Sequence, residues 1–248
     1  MAAPRLDALD ALRGLALVWM TLFHFCFDLN HFGYLQQDFH HDTFWTTQRT
    51  LILGTFLFCA GMGQAVAHHQ GQNWARFWRR WRQVAGCAVL VTGGSWLMYP
   101  NSFIYFGVLH GMALMLLVAR LSAAWGNWLW LLGGLAIAAK PIAALLLAGS
   151  AWATVFNAPW LNWLGLITQK PVTEDYVPLI PWLGVLWGGL AAGGWLLQYP
   201  TLPWLRWQPS VAGRSLALLG RWSLSYYMLH QPVLIGAIFL WGVVRRGA

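Results

Sequence analysis

The stretch from 10 to 33, "DALRGLALVWMTLFHFCFDLNHFG", sets ionisable side chains into a run otherwise built for a lipid bilayer. Ionisable groups in hydrocarbon cost about 2.5–3.5 kcal/mol each on insertion scales, so they persist where they face a bundle interior or a wet cavity. On a helix turning 100° per residue, the eleven positions from Arg13 to His24 make roughly three turns, about 16 Å of rise. Arg13 and His24 therefore share a stripe, and Asp28 at i+4 and His31 at i+7 fall near the same face. A cation, an imidazole and a carboxylate on one stripe can perform acid–base chemistry. His24 is the candidate general base, because an imidazole titrates near working pH. Asp28 is the candidate that orients the ring and stabilises its charged form. Arg13 is a candidate phosphate ligand, with an interfacial anchor as its plainer role.

Two further apolar runs carry a histidine: His110 in "YFGVLHGMAL" and His230, followed by Gln231, in "LGRWSLSYYMLHQPVL". Counted along helices at 1.5 Å per residue, His24, His110 and His230 all come to lie roughly a third of the way in from the outer face. They are candidates for binding an acceptor, although a single membrane histidine often only bonds a neighbouring helix. Lys140, just before Pro141, reads as a snorkelling residue.

These side chains need helices to hold them. The chain has 248 residues, 58% hydrophobic and 9% charged, against about 25% charged in soluble domains. That composition excludes an ordinary soluble domain and points to an all-α integral membrane protein. Two aspartates near the start and no small-residue cleavage site make the first apolar segment a retained span, not a signal peptide. Seven spans are expected, near 11–30, 50–68, 84–99, 102–120, 128–148, 178–198 and 216–241, in a single domain over 1–248. The Trp-rich stretch after 149 is broken by Asn157, Pro159 and Asn162 and reads as interfacial or re-entrant.

Orientation follows from the basic residues. With the N-terminus in the cytoplasm, ten fall inside: Arg5, Arg13, Arg76, Arg79, Arg80, Arg82, Arg120, Arg206, Arg214 and Arg221. Five fall outside, Arg49, Lys140, Lys170, Arg245 and Arg246. The basic C-terminal end runs against this rule, and an eighth span would reverse it. The net charge of +8 is thereby an orientation signal, so no nucleic-acid partner is expected. Cys26, Cys59 and Cys87 are odd in number and widely spaced, which argues against a disulfide framework or a zinc site, and no metal is expected. Nineteen tryptophans suit headgroup belts, Trp74, Trp78 and Trp81 among them. The segment 160–178, with Glu174, Asp175 and Tyr176, is a candidate lip for an acceptor.

Four blocks resemble one family. "RLDALDALRGLALVWMTLFHFCFDLNHFG", "YFGVLHGMAL" (105–114), "DYVPLIPWLGVLWGG" (175–189) and "LGRWSLSYYMLHQPVLIG" (219–236) are similar, in order, to bacterial members of the heparan-α-glucosaminide N-acetyltransferase catalytic-domain family. The spacing of Arg13 and His24 also resembles the broader membrane acyltransferase family three. The resemblance implies transfer of an acyl group, typically acetyl, from a cytoplasmic acyl-CoA co-substrate to a sugar or glycan on the other side of a bacterial inner membrane. The lysosomal branch has a longer glycine-rich passage before its catalytic histidine, and here either His24 or His31 matches it. Under this resemblance Arg13, Arg76, Arg79 and Arg80 would hold the acyl-CoA phosphates, and His110, His230, Gln231, Asp175 and Tyr176 the acceptor. Two other classes fit the histidines less well: a haem-binding electron-transfer protein using His24, His110 or His230, and a transporter or non-catalytic membrane partner, which would favour repeated halves that are absent here. Membrane lipid is the expected surrounding, and homo-oligomerisation stays open.

Overall fold

The structure is a computed structural model that describes residues 6–199, 204 and 207–247, the last two without their side chains. Arg5 and Arg206 lie outside the described residues, as does the side chain of Arg246. Among those residues there are nine α-helices: α1 Asp7–His31, α2 Thr43–His69, α3 Trp74–Met98, α4 Val108–Ser122, α5 Trp128–Leu147, α6 Trp152–Asn157, α7 Leu179–Leu196, α8 Val211–Arg221 and α9 Ser223–Gly247. Five of them, α1, α2, α5, α7 and α9, are long and apolar enough to cross a membrane. The expected spans at 84–99 and 102–120 are the later part of α3 and α4. α3 opens on the basic run Arg76, Arg79, Arg80 and Arg82, and α4 is a shorter apolar helix of 15 residues. The stretch after 149 divides into the short α6 and a 3₁₀ turn at Asn162–Leu164.

The described chain forms two compact units. The first joins 1–56 to 201–248 and the second spans 57–200.

In the first unit α1 is the central element. Asp7 and Asp10 sit in its first turn, where the helix dipole favours negative charge. Leu9, Ala16, Leu17, Met20 and Phe23 make its buried stripe, at helical spacing. Phe39 and Ile52 complete that core cluster, against Trp45, Tyr226 and Tyr227. The helix closes at Gly33, whose φ of 80° lies in the left-handed region. The Tyr34 N–H donates to Leu29 O and the Gly33 N–H to Asn30 O, which satisfies two end carbonyls.

α8 packs closely along α1. A Cβ on Gly14 would run into the Leu216 backbone, and one on Gly220 into the Asp10 carbonyl. Small residues are what allow helices this close approach in lipid. The span expected at 216–241 is found in α9, which starts later, at Ser223, because 216–221 belong to α8. The chain breaks at Trp222 (φ −95°, ψ 20°), whose N–H turns back to Leu219 O and Gly220 O. Gly220, against the Asp10 and Gly14 backbone, commits α8 to α1, while Arg214 and Arg221 add charge and the helix, at 11 residues, is too short to cross a bilayer.

α9 lies against α1 through three side-chain pairs: Thr21 with Tyr226, His24 with His230, and Asp28 with Gln231. Both numbers rise together, so the two helices run parallel.

In the second unit, glycines again set the packing. Gly133 of α5 faces Gly184 of α7, and Gly61 of α2 meets the α7 backbone at Leu186. The Trp81 indole N–H donates to Ala113 O at 2.8 Å, tying α3 to α4. Arg120 donates to the Gln72 carbonyl and lies 5.1 Å from the Trp74 ring centroid, a cation–π contact.

Candidate functional site

The first unit brings His24 and His230 into direct contact. His24 Nδ1 and His230 Nε2 lie 2.7 Å apart. The rings are 15° from coplanar with centroids 5.0 Å apart, a separation that fits two rings joined end to end through that bond. The other nitrogen of His230, Nδ1, is 2.7 Å from the Tyr227 carbonyl, which only accepts. That fixes the tautomers by the hydrogen-bond network. His230 Nδ1 carries a proton for Tyr227, so in the neutral ring Nε2 is the acceptor. His24 Nδ1–H then donates to it, and His24 Nε2 is left as an unprotonated lone pair. That nitrogen makes no hydrogen bond among the described residues. His230 is 8% exposed and His24 half-buried.

Neighbouring polar groups hold the pair in register. One turn toward the start of both helices, Tyr226 OH bonds Thr21 Oγ1 at 2.7 Å, and Thr21 Oγ1 is itself 2.8 Å from Leu17 O. Since Thr21 donates its proton to that carbonyl, Tyr226 is the donor between the two hydroxyls. The Tyr226 and His230 rings are nearly parallel, at 7°. Phe23 meets His24 edge-on.

Asp28 makes no hydrogen bond to His24 among the described residues. Its Oδ1 accepts from Gln231 Nε2 at 2.8 Å, one helical turn beyond the histidine pair. Asp28 is 3% exposed. The ring that bonds His24 is His230, on α9. His31, the alternative base, is exposed in the last turn of α1, near enough to act on Asp28 electrostatically.

Arg13 is ion-paired with Asp10 at 3.1 Å. Arg221 joins the cluster, bonding Asp7 at 2.7 Å and approaching Asp10 at 3.5 Å. Two arginines and two aspartates balance in charge, so this end of α1 is a structural clasp between α1 and the end of α8.

In the second unit, both ring nitrogens of His110 are engaged. Nδ1 accepts from the Gly107 N–H at 3.3 Å, a back-bond across the first turn of α4. Nε2–H then donates to Thr92 Oγ1 at 2.9 Å, and Thr92 passes its own proton to Ile104 O at 2.8 Å. Asp175 accepts from the Val108 N–H at 2.7 Å, placing a carboxylate at the start of α4 where orphan amides and dipole favour it. The Tyr176 hydroxyl donates to Asn162 O at 2.6 Å. Burial, with Tyr105 second, pushes that hydroxyl well above the ordinary tyrosine range. These three expected acceptor residues thus close the helix start and its adjoining loop. Arg76, Arg79 and Arg80 are exposed on α3, Arg80 donating to Gln83 at 3.2 Å.

Thr21, Tyr226 and Tyr227 were not anticipated. Thr21 and Tyr226 were accessible to helical periodicity, since each precedes its histidine by three or four positions on the same face. The Tyr227 carbonyl had no side-chain signal.

Residues 5–232 match the family model described as heparan-alpha-glucosaminide N-acetyltransferase, catalytic. No curated protein and no solved structure matches the chain. The matched span takes in every residue of the first unit's polar ladder, from Thr21 to Gln231.

Proposed function

The chain belongs to the heparan-α-glucosaminide N-acetyltransferase catalytic family, and on that premise we propose that it transfers acetyl from a cytoplasmic acyl-CoA to an amine or hydroxyl of a sugar acceptor across the membrane. His24 is the base of that reaction. The observation that carries this reading is the His24–His230 bond within two membrane-capable helices.

The bond gives His24 what a general base needs. Its Nε2 holds a free lone pair, and its opposite face is fixed by a partner that accepts charge. As the acceptor attacks the thioester carbonyl, the new nitrogen–carbon or oxygen–carbon bond forms and the carbon–sulfur bond breaks. His24 Nε2 takes the acceptor's proton. The Nδ1–H of His24 can then shift to His230 Nε2, whose Nδ1–H stays on Tyr227 O. The positive charge spreads over two rings, and the departing CoA thiolate recovers a proton from the pair. His230 here takes the part that an aspartate plays in a serine-protease triad. The same Nε2 also suits a nucleophile that carries the acetyl group itself. Label held on the protein in the absence of acceptor separates that route from direct transfer.

The exposed guanidinium groups of Arg76 and Arg79 are suited to acyl-CoA phosphates by charge-assisted bonds. Arg13 suits that role less, because Asp10 already holds it. The haem reading fares worse. Two axial imidazoles on one iron stand roughly 4 Å apart, from metal–nitrogen bonds of about 2 Å. In this protein the two nitrogens are bonded to each other at 2.7 Å.

The test is purified full-length protein in lipid nanodiscs with radiolabelled acetyl-CoA and glucosamine. Label is expected on the sugar with wild type and not with His24→Ala. Full activity in that variant would remove His24 from the mechanism.

A further inference from the structure

Two oxygens beside the histidine pair have no partner. Asp28 Oδ2 and Gln231 Oε1 are both buried and make no hydrogen bond among the described residues. They belong to the two head groups that bond each other through Asp28 Oδ1 and Gln231 Nε2. With Asp28 ionised, its oxygen requires the NH₂ side of Gln231, which leaves the amide oxygen free. A buried polar atom left unpaired costs about 1–3 kcal/mol, and here two acceptors are left on one pair. What they lack is donors.

The position of the pair says what brings those donors. Asp28 lies one turn from His24, roughly 6 Å along the axis. Beyond the end of α1, the loop that follows frames an open surface depression of about 560 Å³ lined by Asn30, Gly33, Leu35, Gln36, Gln37 and Asp38; Asp28 and Gln231 lie beneath, outside that lining. Three amide side chains and a carboxylate line it, and Gly33 supplies the sharp turn that folds the loop back. Asn30 is already held by the Gln37 N–H at 2.6 Å, and Asp38 by the N–H groups of His40 and His41. The Gln36 amide makes no hydrogen bond among the described residues. Planar amide and carboxylate groups at graded heights are what a polyhydroxylated ring is recognised by, through its many O–H and N–H donors.

We propose that Asp28 and Gln231 are the floor, and Gln36 part of the mouth, of the subsite for the acceptor sugar. The sugar presents donors to Asp28 Oδ2 and Gln231 Oε1, and its reacting group thereby comes under the His24–His230 pair. This rests on the acyltransferase reading above, and it makes Asp28 a substrate-binding residue instead of an orienter of His24.

The two roles separate kinetically. With glucosamine and acetyl-CoA as probes, Asp28→Asn and Gln231→Leu should each raise KM for glucosamine about tenfold or more. KM for acetyl-CoA and the pH profile of kcat should not move. Gln36→Ala, on the exposed loop, should raise the glucosamine KM by a few-fold, and its thermal melt should match wild type. An unchanged glucosamine KM in all three overturns the proposal. So does a loss in Asp28→Asn confined to kcat with a shifted pH profile, which is the signature of an orienting carboxylate. If wild type consumes no acetyl-CoA, the acyltransferase reading falls, and equilibrium binding of glucosamine decides the subsite on its own. Binding to wild type that weakens tenfold in Asp28→Asn supports it, and equal or absent binding overturns it.

Discussion

His24 and His230, 206 positions apart in the chain, share one hydrogen bond of 2.7 Å between Nδ1 of the first and Nε2 of the second. Because Tyr227 O fixes the proton on the far side of His230, that bond sets which nitrogen of His24 is free.

Loss of either ring should have different consequences. His24→Ala removes the base, and transfer should fall by about 10²–10⁴-fold, the usual worth of a positioned acid–base group. His230→Ala leaves His24 in place without a tautomer partner, so kcat should fall substantially while KM for both substrates holds. Steady-state kinetics in nanodiscs distinguish the two.

The pair should also titrate as a unit. If both rings were doubly protonated, two N–H groups would face each other at 2.7 Å, so the pair holds at most one extra proton with ease. That proton occupies the site the acceptor's proton must enter. The rate should therefore fall as pH is lowered. His230→Ala should change the position of that acid limb, which a pH profile of kcat reads directly.

At the start of α1, Asp10 carries two arginines while only 8% exposed. Asp10→Asn keeps the shape and removes the charge. Stability should drop by about 1–3 kcal/mol, the cost of leaving hydrogen-bonded charges uncompensated at a partly buried site. A thermal melt in detergent checks this, and Asp7→Asn, at a more exposed pair, should cost less.

The α1–α8 contact should be intolerant of any added carbon. Gly14→Val or Gly220→Val drives a side chain into opposing backbone. Overpacking of this kind costs about 1–3 kcal/mol or more. A lower melting temperature is expected for both, and Gly54→Ala, with nothing near it, is the control.

Asp38 makes a pH prediction outside the membrane segments. Backbone N–H groups of His41 and His40 bond its carboxylate and hold it below the usual carboxylate range. A depressed folded value means that its contribution is present above the unfolded value near 3.9 and lost as pH falls through the lower folded value. Protection of the His40 and His41 amides, measured against the intrinsic exchange rate at each pH, should fall in Asp38→Ala at neutral pH, and in wild type only in strong acid.

Much of this was legible in the chain. The apolar runs and the sparse charge gave the helical membrane architecture, and the four blocks gave the family. The stripe of α1 gave Arg13, His24 and Asp28 on one face, since that needs only helical geometry. What spacing could not give was register between helices far apart in sequence. His230 was placed near the depth of His24, but their contact depends on how α1 and α9 pack. Asp28, a neighbour of His24 by spacing, is drawn off by Gln231. His110 was readable in principle, since Gly107 and His110 stand at the spacing of a helix back-bond. Asp175, 67 positions from the amide it caps, was not. The break at Trp222 was hidden because the apolar Leu216–Leu219 stretch runs on toward α9, and the contact of Gly220 with α1 leaves no mark in spacing.

The parallel alignment of α1 and α9 also sets an order of manufacture. α1 is the first described helix to be synthesised and α9 the last. The His24 imidazole lacks its His230 partner until α9 has been made and inserted. Contacts of such long sequence separation form late and slowly. Which nitrogen of His24 is left unprotonated is thereby set only as α9 docks against α1.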